Sequence, residues 1–91
     1  MSKVATLKVQ YCGGWGYLRF LNALTPVLEA EFPGQIKISP LKDPGTTGNF
    51  EITLMETGEL IHSKSKRGQG KCESNSERAA LCEKIRTYLD A

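Results

Sequence analysis

One cysteine, three glycines and the chain's single tryptophan lie within VQYCGGWGYLRF, residues 9–20. Cys12 supplies a nucleophile, and Gly13, Gly14 and Gly16 surround Trp15 with positions that carry no side chain. Val9 to Tyr11 read as the end of a strand, and Tyr17 onward as the start of a helix. A thiol at that junction has a defined chemistry. Only the thiolate attacks disulfides and peroxides, and an ordinary cysteine, with a pKa of about 8.5, is mostly protonated at neutral pH. Helix N-terminal N–H groups and the positive end of the helix dipole favour the anion, so a thiol placed there is expected to be acidic. The glycines are read as holding side chains away so that a bulky disulfide can approach. A second thiol three residues on would expel the partner from a mixed disulfide. Trp15 occupies that place and cannot.

The other candidates carry less. Cys72 and Cys82 make no Cys-x-x-Cys pair, and with the single His62 they form no zinc pattern, so no metal site is expected. Cys82 falls on an apolar stripe and reads as core, while Cys72 sits in a loop where no motif gives it a role. Free cysteines are often buried and inert, so composition alone leaves Cys12 open between a core residue and a reactive one. His62 alternates along a strand and reads as a surface residue. Lys64, Lys66, Arg67 and Lys71 form a basic loop, a candidate anion or partner site whose plainer reading is a solvated surface. Residues 62–71 hold no aromatic to stack on bases, which argues against nucleic acid. A dinucleotide fingerprint is also missing, because Arg19 stands where G-x-G-x-x-G needs its third glycine.

These residues need a scaffold, and 91 residues make one domain, 1–91, with room for a single core. The 40% hydrophobic and 24% charged content is that of an ordinary globular chain, and a net charge of +2 does not argue for a polyanionic partner. No apolar run is long enough to span a bilayer and MSKVATLKVQY has no signal-peptide core, so the cytoplasm is the expected location.

Val4, Leu7, Val9 and Tyr11 give a first strand. Leu18, Leu21, Leu24, Leu28 and Phe32 recur at helical spacing, with Pro26 expected to kink or split that helix and Thr25 a candidate N-cap. Ile36 and Ile38 mark a short second strand, followed by a loop over residues 39–48. Phe50, Ile52 and Leu54 form a third strand, a turn at Thr57-Gly58 follows, and Glu59 to Ser63 return as a fourth. Ser74 with Glu77 fits a capping box ahead of a last helix with Leu81, Cys82, Ile85, Tyr88 and Leu89 on its apolar stripe. The order β-α-β-β-β-α predicts an α/β fold, a four-stranded mixed sheet with two helices. That is the minimal layout of a thioredoxin-like domain, in which the reactive group follows the first strand.

YCGGWGY resembles the redox motif of the selenoprotein W family, where a cysteine, two small residues and selenocysteine lie between a tyrosine and a Gly-Tyr pair. EAEFPGQIKI (29–38), TGNFEI (47–52) and GELIHSKSKRGQG (58–70) resemble the family's segments in the same order and at compatible spacing. The resemblance implies a thioredoxin-like fold, a cytoplasmic location and a glutathione-linked antioxidant role. It implies no bound cofactor, with glutathione as the redox partner and 14-3-3 adaptors or other protein thiols as protein partners. Cys12 then becomes the attacking thiol and position 15 the selenocysteine or cysteine site. Trp15 departs from that pattern. The selenocysteine codon UGA differs by one base from the tryptophan codon UGG, which favours a replaced selenocysteine over a native tryptophan. Ser39 stands where some members carry a further cysteine, so no glutathione site is carried over there. The competing reading is a non-catalytic thioredoxin-like adaptor that binds proteins through the Trp15 loop or the basic segment.

Overall fold

The computed structural model describes residues 3–91. Its elements are β1 (Ala5–Tyr11), α1 (Leu18–Glu31), β2 (Ile36–Lys42), β3 (Phe50–Leu54), β4 (Glu59–Ser63), α2 (Lys64–Arg67) and α3 (Asn75–Asp90). The strands form one sheet in the order β2-β1-β3-β4. β1 and β2 run parallel across the α1 crossover, and β3 pairs antiparallel with both β1 and β4. This is the mixed α/β sheet expected from the sequence, with a third, short helix added.

Alternation along β1 decides which face is covered. Ala5, Leu7, Val9 and Tyr11 are buried, and the register sets Leu7 opposite Leu54, Val9 opposite Ile52 and Tyr11 opposite Phe50. Leu21, Leu24 and Leu28 of α1 join Leu81 and Ile85 of α3 in the same core cluster. Cys82, Tyr88 and Leu89 pack partly buried against it. Thr6, Lys8 and Gln10 point the other way and are only half-buried. The core therefore lies between one sheet face and two helices, with the C-terminal end of β1 at its rim.

Four local expectations are corrected. α1 runs unbroken through Pro26, and Thr25 is no N-cap: its hydroxyl donates to the Leu21 carbonyl at 2.9 Å. The carbonyl that Pro26 leaves without its donor belongs to exposed Asn22, where water can serve it, and buried Leu21, Leu24 and Leu28 hold both halves to the sheet. β2 extends to Lys42 through Pro40, shortening the expected loop to residues 43–49. β2 is an edge strand, and an edge tolerates a residue with no N–H to give.

Residues 64–67, read as part of a loop, close into α2. The Ser63 hydroxyl accepts from Lys66 N–H and Gly68, at φ 64°, ends the turn. Finally, His62 is buried, not exposed. A register irregularity at Ile52/Thr53 breaks the alternation of β4, so Ile61, His62 and Ser63 are all covered. The His62 ring meets Phe50 edge-on and its Nε2 lies 2.9 Å from the Gly70 carbonyl.

The capping box is half-formed. Ser74 accepts from Glu77 N–H at 3.2 Å, but the Glu77 carboxylate accepts from Gly70 N–H instead of returning to Ser74.

Candidate functional site

Cys12 is the first residue beyond β1, and its surroundings come from a second loop. Cys12 N–H donates to the Asn49 carbonyl at 2.9 Å, Gly13 N–H to Gly45 at 2.9 Å, and Asp43 N–H to Tyr11 at 2.9 Å. Residues 43–49 are thereby folded onto residues 11–14. A Cβ on Gly13 would collide with the carbonyl oxygens of Asp43 and Gly45, and one on Gly14 would strike the Thr46 hydroxyl. These glycines are required by the second loop; the approach of a partner, for which the sequence reading took them, is not what fills the space. Gly16 differs, with nothing within 4 Å and a φ of 67° that favours glycine.

Trp15 also adopts a left-handed φ, 58°, a conformation that costs a side-chain-bearing residue roughly 1–2 kcal/mol. It is 65% exposed. Its six-membered ring lies 3.2 Å from where a Gly48 Cβ would stand, and its rings are 6.0 Å from Tyr17. The side chain from position 15 thus rests on the 43–49 loop.

The Cys12 thiol is held below its ordinary pKa by loop donors, not by the helix end the sequence suggested. α1 begins only at Leu18, after Tyr17, with no side-chain cap, and none of the donors that lower the thiol belongs to it. Burial pushes the thiol up, since only 1% of the residue is exposed. Donors facing the sulfur outweigh it and lower the pKa: the N–H groups of Gly48, Gly14 and Thr47, then the Thr47 hydroxyl. That hydroxyl already donates to Asp43 Oδ2 at 2.6 Å, which leaves the three backbone N–H groups as the dependable donors. Asp43 is itself buried, accepting from Gln10, Thr47 and Asn49.

A cleft of about 90 Å³ opens over Cys12, walled by Tyr11, Tyr17, Leu18, Lys42 and the loop glycines. A larger, mostly apolar hollow of about 720 Å³ lies between the β3–β4 turn and α3, against Leu54, Ala80 and Tyr88. It holds no cysteine, whereas Cys12 lines the small cleft.

All three cysteines are free. Cys72 is fully buried at φ 57°, and its thiol is pushed up to about 12 by burial, with the Glu77 charge adding to this. Cys82 is half-buried on α3 and is also raised, by burial and by Glu31, with Arg86 opposing. Lys64, Lys66 and Arg67 lie on α2 and none of them lines the Cys12 cleft; the cation there is Lys42. Lys42, Asp43, Thr47 and Gly48 were missed by the sequence reading. The loop is dense in glycine and threonine, and Thr47 and Gly48 open the family-like segment TGNFEI, but neither signal names the target of the turn. Among the described residues no group of three or more His, Cys, Asp or Glu side chains could hold a metal ion. Among them, too, no helix is long and apolar enough to cross a membrane.

The chain matches the Rdx family over residues 6–87. It is 40% identical to selenoprotein W of Mus musculus over 83 residues, 91% of each chain. With selenoprotein W of Danio rerio the identity is 39% over 87 residues, 93% of each. The crystal structure of a selenoprotein W-related protein from Vibrio cholerae superposes with a TM-score of 0.71, covering 96% of this chain and 99% of that one at 22% identity. At that identity the superposition speaks for the fold.

Proposed function

The chain belongs to the Rdx family, and from that premise we propose that it is a glutathione-linked thiol redox protein of antioxidant role in which Cys12 is the attacking thiol. Membership among selenoprotein W relatives supports a thioredoxin-like redox role. The observation that carries the finer reading is the loop of residues 43–49 hydrogen-bonded to Tyr11, Cys12 and Gly13, which brings up backbone N–H groups that lower the buried thiol. A thiol lowered by such donors is a thiolate for more of the time at neutral pH.

Exchange with glutathione is reversible, and a peroxide supplies the oxidant for net turnover. The Cys12 thiolate attacks one sulfur of oxidised glutathione, the S–S bond breaks, and one glutathione leaves as thiolate. A reduced glutathione can later attack the mixed disulfide, releasing Cys12 and reforming oxidised glutathione. With a peroxide, the thiolate takes one oxygen, leaving water or an alcohol, and the sulfenic acid condenses with glutathione to release water. Trp15 takes no part in these steps, so the chain as it stands works through one thiol. The cytoplasm, where glutathione is abundant and cysteines stay reduced, is the compartment this reading needs.

Incubation with oxidised glutathione followed by intact-mass and peptide analysis tests the proposal. The expected product carries one glutathione on the peptide of residues 9–19. An unmodified Cys12, or an adduct on Cys82, would overturn it.

A second reading has its own observation: Trp15, 65% exposed beside Tyr17 and exposed Leu18, is an aromatic anchor available to a protein partner. In that reading the chain is an adaptor for protein thiols or 14-3-3 proteins and Cys12 is incidental.

A further inference from the structure

We propose that Asp43 is the positioning residue of the Cys12 site, a buried carboxylate that pins the 43–49 loop so that its backbone N–H groups stay aimed at the sulfur. The inference rests on Cys12 being the reactive thiol. Its geometric basis is the set of bonds by which Asp43 holds the 43–49 loop and the main-chain bonds that tie that loop to Tyr11, Cys12 and Gly13.

Asp43 is 7% exposed. Its Oδ1 accepts from Gln10 Nε2 at 2.7 Å, which ties it to β1. Its Oδ2 accepts from Thr47 Oγ1 at 2.6 Å and from Asn49 Nδ2 at 2.9 Å. Those two donors sit either side of Gly48, whose N–H faces Cys12. Gly48 and its loop-mate Gly45 have φ of 72° and 82°, so the segment contains residues with the widest backbone freedom and the most to lose on ordering. A charge-assisted hydrogen bond to each neighbour of Gly48 is what a glycine hinge needs in order to hold one orientation. The main chain closes the same clamp, through Asp43 N–H to Tyr11 and Cys12 N–H to Asn49. One side chain thus fixes both ends of the segment that supplies Thr47 and Gly48 to the site.

The charge of Asp43 cannot itself be the useful feature, because a nearby anion disfavours a thiolate. Its effect must pass through the loop. The other titratable groups around the thiol are Tyr11, Tyr17 and Lys42, all in the cleft. The Asp43 carboxyl is held below the ordinary carboxylate range, chiefly by the Thr47 hydroxyl, so it stays ionised wherever thiols titrate.

The test is the pH profile of iodoacetamide labelling at Cys12, followed by peptide mass spectrometry from about pH 6 to 10. It is run on the full chain, on Asp43→Asn and on the milder Gln10→Ala, which removes one clamp bond without touching the cleft. Loosened donors raise the thiol's midpoint. Because a more basic thiolate is also more nucleophilic, the rate at neutral pH should fall roughly threefold for each tenfold loss of thiol acidity, while the high-pH plateau rises. Crossing profiles of this kind are expected for Asp43→Asn, with a smaller crossing for Gln10→Ala.

Faster labelling at every pH would mean that the loop simply opens, and would overturn the proposal. A downward shift would mean that the charge acts directly, and an unmoved midpoint in a folded variant would mean that the bonds are only structural; either also overturns it. If Asp43→Asn fails to fold, Gln10→Ala decides on the same criteria. If Cys12 of the unaltered chain titrates no lower than Cys82, the redox reading itself has failed, and that is seen before any variant is compared.

Discussion

Cys12, Cys72 and Cys82 carry the same group in three environments, and those environments order their reactivity. Cys12 is lowered by backbone donors against its burial, Cys82 is raised by burial and the Glu31 charge, and Cys72 is pushed up to about 12 in the core. At neutral pH the thiolate fraction therefore falls in the order Cys12, Cys82, Cys72. Timed alkylation with peptide mapping should label Cys12 first and Cys72 last, only as the chain opens. Labelling of Cys82 ahead of Cys12 would show that cover, not acidity, controls access. The sequence singles out Cys12, because a thiol among glycines at a strand end is visible locally. It misassigned the donors. Beside nearby Gly14, they come from residues 47 and 48, far along the chain, and spacing cannot reveal which loop will fold onto which. His62 was misread for a related reason, since a strand irregularity shifts every residue beyond it to a new facing.

At the scale of elements, helices and strands were legible wherever an apolar period ran for several turns, as in α1 and α3, or alternated cleanly, as in β1. α2 left no period because four residues make a single turn, and its stability comes from outside itself. Glu51, buried on β3, accepts from the N–H groups of Lys64 and Ser65 at 3.0 and 3.2 Å, from the Ser65 hydroxyl at 2.8 Å and from the Ser63 hydroxyl. Burial acts to raise this carboxyl, but the hydroxyls of Ser63 and Ser65 and these N–H groups bring it below its ordinary value. Protonation then favours the unfolded chain. The stability contributed by the carboxylate is complete above the unfolded pKa of about 4.3 and is lost as the pH falls from there through the folded value. Glu51→Gln should be less stable at neutral pH and should show a flatter decline of melting temperature with acid. An unchanged acid limb would mean that other carboxylates dominate it.

Pro26 makes the opposite case, an element tolerating a poor local choice. Pro26→Ala restores a donor to the Asn22 carbonyl and should stabilise the chain by about 1–2 kcal/mol in urea denaturation, after allowance for the freer unfolded state. A loss of stability would show that the proline ring supplies packing worth more than the missing bond.

For the whole molecule, the fold sets whether the chain can close a disulfide within itself. A disulfide cycle needs two thiols that can meet, and the fold commits Cys72 to the core and Cys82 to a helix flank beside Glu31 and Arg86. Neither lines the Cys12 cleft. Trp15 does not line it either, but its ring lies against Gly48, whose N–H is among the donors that lower the Cys12 thiol. The two side chains therefore meet on one residue, although 12 and 15 do not share the helical turn that the sequence suggested. Trp15→Cys places a thiol on the side of Gly48 that the indole now occupies. Closing a disulfide brings the two Cβ atoms to about 3.8 Å, and Gly16, with no neighbour within 4 Å, leaves the loop free to adjust on that side. The new thiol should expel glutathione from Cys12 and leave an internal bond that glutathione buffers can reduce; selenocysteine there should do so faster, since a selenol is more acidic. The measurement is the intact mass and redox midpoint of Trp15→Cys across a series of reduced-to-oxidised glutathione ratios. The expected species is two hydrogens lighter than the reduced chain, with no retained glutathione. Persistent glutathione on Cys12 at every ratio would mean that position 15 cannot reach the sulfur. The exposed aromatic loop would then be better read as a docking surface than as half of a redox pair.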